Sequence, residues 1–290
     1  MVARIIIATD FSEGASAGVE RGVALAQAHG ATVHLAHVIG AAPTDVAELS
    51  GPFAEIQEIR RTAAEGGLSA LSSELEGRGL TVERHLLEGR AAEQIAELVD
   101  DTSAQLVVMG ARGHHAEQVF VIGSVTEAVV RRADTNVLVV RNRRPFHKVL
   151  LATDLSRASR SVVGLAVGLA EEEVEAVELV HVVDWGDTPP PVELPFGSPN
   201  PHFEQLWKAA IDKAGEELAQ LAQRSAAGGE VSHRVEQGVV AARLLERARA
   251  TDADLVVVGK RRGPAPREDS VSERVVRHAP CTVLVARREL

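Results

Sequence analysis

Cysteine is almost missing from this chain: Cys281 is the only one among 290 residues. A disulfide framework is excluded, and a reducing compartment fits. Basic residues are outnumbered, 31 Lys and Arg against 41 Asp and Glu, for a formal net charge of −10. A nucleic-acid binder normally presents a basic face, so no nucleic-acid partner is expected, although a local basic pocket is allowed. No apolar run approaches the roughly 20 residues of a membrane span. The opening "MVARIIIATD" passes through a short Ile run to Asp10, too brief and too soon charged for a signal peptide. The expectation is a cytoplasmic protein with no membrane partner. No His and Cys residues share zinc-site spacing, and no Ser-His-Asp or Cys-His ordering suggests a triad, so no catalytic residue is assigned. His114 and His115 are adjacent and would point apart in extended backbone, which disfavours a metal pair.

What is present is a repeat. "IIIATDFS" (Ile5–Ser12) matches "VLLATDLS" (Val149–Ser156), and "VHLAHVI" (Val33–Ile39) matches "VELVHVV" (Val177–Val183). "AQLVVMG" (Ala104–Gly110) matches "ADLVVVG" (Ala253–Gly259). "SVTEAVVRRADTNVLVVR" (Ser124–Arg141) matches "SVSERVVRHAPCTVLVAR" (Ser270–Arg287). Order is kept while loops change length, as expected of two copies of one domain. The boundary falls in "NRRPFHK", giving domains 1–144 and 145–290. Both copies are net acidic.

Within each copy, short Val/Ile/Leu runs read as strands buried on both faces of a parallel sheet. Helical stretches lie between them: Ser12–Gly30 with Val19, Val23 and Ala26 inward, and Phe53–Leu75 with Ile56, Ile59, Leu68, Leu71 and Leu75. Gly66-Gly67 weakens the second helix in its middle. Thr81–Leu87 reads as a strand and Ala91–Asp100 as a helix. Five strands and four helices per copy predict a doubly wound α/β domain, with ligands beyond the carboxyl ends of the strands. The second copy inserts "DWGDTPPPVELPFGSPNPHF" (Asp184–Phe203), which carries six of the 12 prolines and reads as irregular. A surface loop is the plain reading; a lid or partner-binding segment is the alternative. Trp185 and Trp207 flank it as anchors.

The stretch "VVMGARGHHAEQVFVIGSVTE" (Val107–Glu127) ends a strand at Gly110, repeats glycine at Gly113, and places Gly123-Ser124 before a helix. Ser124 and Glu127 have the form of a capping box. Free N–H groups at that helix start make a natural phosphate site. The alternative is a strand-helix connection with a good cap. The second copy keeps Ser270 and Glu273 but has Arg262 and Asp269 where Gly113 and Gly123 align. The cap recurs where the glycines do not. Lys260, Arg261 and Arg262 read as a solvated basic turn or as a site for a different anion.

Gly110-x-x-Gly113, nine further residues, then Gly123-Ser124 resembles the ATP-binding motif of the universal stress proteins. The "ATD-[FL]-S" strand end, the "HV" pair and the closing "NVLVVR" and "APCTVLVAR" are similar to that family as well. The resemblance covers both copies and implies a tandem protein with flavodoxin/Rossmann-like sheets of strand order 3-2-1-4-5. It also implies an intrachain pseudo-dimer paired through the last strands, Val137–Val140 and Val283–Ala286, with a further homodimer as an option. By the same resemblance, Ala8, Thr9 and Asp10 would end the first strand under the nucleotide. Asp10 would lie near the ribose or a phosphate-bound Mg²⁺. Val38 would meet adenine, and Met109 and Gly110 would line the ribose side. Gly113, Gly123, Ser124, Val125 and Thr126 would donate to the phosphates, and Arg112 would neutralise them.

The structural alternative for Asp10 is a helix-start residue serving Ser12, a role Asp154 would share. His37 and His181 recur and read as packing or backbone hydrogen-bonding residues, and Cys281 as a small buried residue. The functional expectation is an ATP-binding stress-response protein, with ATP a regulatory ligand of the first domain and the second domain structural or regulatory. A slow Mg-dependent ATP hydrolase and a nucleotide-independent interaction platform are the alternatives; a flavin carrier is weaker, because neither copy offers a flavin loop.

Overall fold

Ile5, Ile6 and Ile7 are all at 0% exposure, which is possible only if the strand that carries them is covered on both faces. The computed structural model places them at the centre of a parallel sheet. It describes residues 2–40, 52–113, 122–156, 159, 162, 164, 168, 174–184, 201–225, 230–260 and 270–287. Two compact units are formed, Met1–Arg143 and Arg144–Leu290. His114, His115, Trp185, Arg261, Arg262, Asp269 and most of the proline-rich insert lie outside the described residues.

In the first unit the strands are β1 (Arg4–Ala8), β2 (Thr32–Gly40), β3 (Val82–Gly89), β4 (Leu106–Gly110) and β5 (Asn136–Val140). They pair in parallel in the order β3-β2-β1-β4-β5. Strand order therefore reverses between β1 and β4, and their carboxyl ends flank the crevice where doubly wound sheets take ligands. Burying each of the three Ile side chains contributes about 1.5–3 kcal/mol.

Four helices connect these strands: α1 (Glu13–His29), α2 (Pro52–Gly77), α3 (Ala91–Thr102) and α4 (Ser124–Arg132). Helix α1 starts because Ser12 Oγ accepts the Ala15 N–H at 3.1 Å, and it stops at Gly30, whose N–H returns to Ala26 and Gln27 carbonyls. Its buried face includes Val19, Val23 and Ala26, as the periodicity predicts. The periodicity places α2 correctly but misassigns the buried face of its first turns. Ile56 and Ile59 are 50% and 62% exposed, and the buried stripe is Ala64, Leu68, Ser72 and Leu75. Gly66-Gly67 does not interrupt α2. Gly67 instead leaves room for the Phe11 ring, which a Cβ there would approach to 3.1 Å.

The second unit repeats the plan with β6 (Lys148–Ala152), β7 (Ala176–Val183), β8 (Glu230–Gln237), β9 (Leu255–Lys260) and β10 (Thr282–Arg287), ordered β8-β7-β6-β9-β10. Its described helices are α5 (Pro201–Ser225), α6 (Val240–Ala250) and α7 (Val271–His278). Pro201, expected in an irregular insert, opens α5; proline is favoured at a first helical position because its missing N–H has no partner there anyway. Trp207 in α5 donates to Gln237 Oε1 at 2.9 Å, tying that helix to the end of β8. Cys281 is buried just before β10. No helix among the described residues is long and apolar enough to cross a membrane.

Candidate functional site

The segment after β1 is a knot of short hydrogen bonds. Thr9 Oγ1 accepts the Phe11 N–H at 3.0 Å, and Asp10 Oδ1 accepts both the Ser12 N–H at 3.0 Å and the Ser12 hydroxyl at 2.5 Å. His37 Nδ1 lies 2.8 Å from Thr9 O, and its ring stacks on Phe11 with centroids 4.7 Å apart. This arrangement holds Phe11 at φ 62, a backbone region that a bulky residue enters at a cost of about 1–3 kcal/mol.

The second unit repeats the knot. Leu155 stands at φ 60, its N–H donates to Thr153 Oγ1, Ser156 N–H donates to Asp154, and His181 Nδ1 lies 2.9 Å from Thr153 O. Both His37 and His181 thus hold a backbone carbonyl, as their recurrence suggests. Thr9, Asp10 and Phe11 build the turn after the first strand of one unit, and Thr153, Asp154 and Leu155 build its counterpart in the other, whatever else Asp10 does.

The glycines divide by what surrounds them. A Cβ on Gly110 would collide with Gly14 O and lie 2.9 Å from Ala15 Cα. Reciprocally, a Cβ on Gly18 would lie 2.6 Å from Gly110 N, and one on Gly14 would lie 2.8 Å from Arg112 O. Gly110 is therefore glycine so that α1 can lie backbone to backbone on the end of β4. Gly113 is packed differently: a Cβ there would collide with Asp10 Oδ2, so the Asp10 carboxylate rests on the Gly113 backbone. Gly123 has no such constraint among the described residues. Its φ of −69 suits any residue, and among those residues a Cβ would meet nothing nearer than Ala111 O at 3.6 Å.

The expected capping box does not form at Ser124. Gly123 is the N-cap of α4, without a side-chain cap bond, and Ser124 is the first helical residue. In the second unit Ser270 is the N-cap of α7 and accepts the Glu273 N–H at 3.3 Å. The reason is a one-residue difference in where the helix begins. In α4 the anchoring falls to Thr126, whose buried hydroxyl donates to Gly110 O at 2.9 Å, and to the Gly123 N–H, which donates to Ala111 O at 2.8 Å. Those two donors, expected to point at phosphates, are spent on joining α4 to β4. The N–H groups of Ser124, Val125 and Thr126 have no intrahelical acceptor, as in any first helical turn.

Asp10, Gly110, Arg112, Gly113, Gly123 and Thr126 are thus brought together at the carboxyl ends of β1 and β4. Ala8 pairs with Met109 in the sheet beneath them, and both are buried. Val38 stands near the end of β2, half-buried. Arg112 is half-buried. What the sequence reading missed is the α1 side of the contact. Gly14, Gly18 and Gly22 recur every fourth residue, and the aligned positions of the second copy are Ala158, Val162 and Ala166.

The model of the "Universal stress protein family" matches residues 1–141 and again 145–287. A universal stress protein of Mycolicibacterium smegmatis is 31% identical over 301 residues, covering 98% of this chain and 96% of that protein. One from Mycobacterium tuberculosis is 32% identical over 264 residues, covering 84% and 76%. The crystal structure of a universal stress protein from Archaeoglobus fulgidus, 21% identical, superposes with a TM-score of 0.68 over 99% of this chain and 98% of that one. The chain belongs to the universal stress protein family, with one family unit in each half.

Proposed function

We propose that the first unit binds ATP, or another adenine nucleotide, as a regulatory ligand in a stress response, and that the second unit serves a structural or regulatory role. The observation that carries this reading is Gly123. Folding explains Gly110 and Gly113, but neither backbone strain nor packing among the described residues asks for glycine at the N-cap of α4. A bound group that must approach the backbone closely does. The three N–H groups of Ser124, Val125 and Thr126 at that helix start, with the helix dipole behind them, favour an anion. Arg112 adds positive charge nearby, and Val38 at the end of β2 offers an apolar edge for a base. In the second copy Asp269 aligns with Gly123 and would repel a phosphate.

Asp10 suits a magnesium ion that travels with the phosphates: it is a hard oxygen ligand, and Ser12 fixes its orientation through Oδ1. The ion would neutralise charge between Asp10 and the phosphates. Mass spectrometry of small molecules released from the freshly purified chain, followed by calorimetric titration of the stripped protein with ATP, tests the proposal. An adenine nucleotide and one binding event per chain are expected. A released flavin, no heat with any adenine nucleotide, or two equal sites would overturn it.

A further inference from the structure

Away from the β1 and β4 ends, two histidines meet across the outer strands of the first unit. His34 on β2 stands beside Glu83 on β3, and Ala36 beside His85, so the three side chains belong to one face of the sheet. His34 Nδ1 lies 3.1 Å from His85 Nε2 and 3.3 Å from Glu83 Oε2. One ligand atom from each residue falls within 4.8 Å of the others. Two nitrogens each about 2.0–2.1 Å from a zinc ion are separated by roughly 3.0–3.4 Å at near-tetrahedral angles, which is the spacing seen here.

We propose that His34, Glu83 and His85 form a binding site for one divalent transition-metal ion of the zinc class, clamping the edge strand β3 to β2. The donor set, two imidazoles and a carboxylate, suits such an ion better than calcium or magnesium, which prefer all-oxygen shells. His34 is 4% exposed while the Glu83 side chain is 58% exposed, so the site has a buried floor and an open, solvent-facing side. Burial pushes both rings below the ordinary histidine range, with Glu83 pulling the other way, and neutral imidazole is the ligating form. Arg4 adds positive charge near His34, which the Glu83 carboxylate offsets.

A comparison between the two units favours this reading over a plain packing contact. The same place in the second unit is filled differently. Glu178 occupies the position of His34 in the repeat, and Ser232 and Arg234 occupy the register positions of Glu83 and His85. There Arg247 of α6 grips Glu178 through two bonds of 2.8 and 2.7 Å, and Arg234 approaches to 3.5 Å. Leu98 of α3 aligns with Arg247 in the repeat, each six residues before the matching Ala104 and Ala253 that precede β4 and β9. The second unit supplies its own cation to this spot; the first supplies metal ligands and no guanidinium from α3.

Titration of the untagged full chain with Co²⁺, read by its visible absorption, tests the site, with Zn²⁺ then displacing the cobalt. The expected result is one saturable ion with the intense bands of a four-coordinate site. His85→Ala and Glu83→Gln should each weaken binding by about tenfold or more. Both variants change exposed or half-exposed positions, and melting curves confirm that they are folded. No saturable band in the parent protein, or unchanged affinity in both variants, would overturn the proposal. His34→Asn gives an independent reading: if it folds and binds as the parent does, the site is refuted.

Discussion

The backbone of Gly110 lies against the carbonyl of Gly14 so closely that no Cβ fits between them. This contact assigns the first glycine of the motif to the fold. Gly110→Ala is therefore expected to destabilise the first unit by about 1–3 kcal/mol, because α1 must be pushed off β4. Denaturant melts measure this. Unchanged stability would mean that α1 sits further out than described.

Gly123 makes the opposite prediction. Gly123→Ala introduces a methyl that meets only ordinary contacts among the described residues, and α4 has its N-cap there in extended backbone. Stability should move by less than about 0.5 kcal/mol. Nucleotide affinity should fall even so, since the methyl stands where a phosphate would approach. The same variant measured by melting and by calorimetry separates the two effects.

The Glu178–Arg247 pair offers a test of the second unit. Their side chains are 15% and 26% exposed and joined by two bonds. Arg247→Leu should destabilise by about 1–3 kcal/mol by leaving the largely buried Glu178 carboxylate with Arg234, at 3.5 Å, in place of two short bonds, while adding Glu178→Leu should recover most of that loss. A double mutant as unstable as the single one would show that the arginine acts through packing instead.

His34 and His85 give the first unit a pH dependence whose sign is determined. Burial holds both folded rings below the ordinary histidine value of about 6.5, with Glu83 opposing this, and at His34 the neighbouring His85 and Arg4 reinforce it. Above that value both states are neutral and the rings contribute nothing. As pH falls through about 6.5 the unfolded chain binds protons first, so stability declines. Melting temperatures in chelator should drop between pH 7.5 and 5.5, and His85→Gln should reduce the slope. An equal slope in the variant would place the pH dependence elsewhere.

The repeat, the parallel strands and the periodic face of α1 were readable because each is a local pattern with a fixed period. Ile56 and Ile59 misled because the start of α2 keeps a helical period while its apolar side chains, among the described residues, stay exposed. The Ser124 box misled because the repeat aligns two Ser-x-x-Glu sequences whose helices begin one residue apart. The glycine motif was legible as a motif, but its division of labour was not: Gly110 answers to Gly14 in a helix nearly a hundred residues earlier. The meeting of His34, Glu83 and His85 went unread because it depends on strand register, which no local pattern carries.

On the proposed reading Gly123 serves a ligand while Gly110 and Gly113 serve the fold. Calorimetric titration of Gly123→Asp with ATP, beside the parent chain, tests it most directly. Loss of a single site per chain with an unchanged melting curve is the predicted result. Undiminished ATP binding by the folded variant would contradict it.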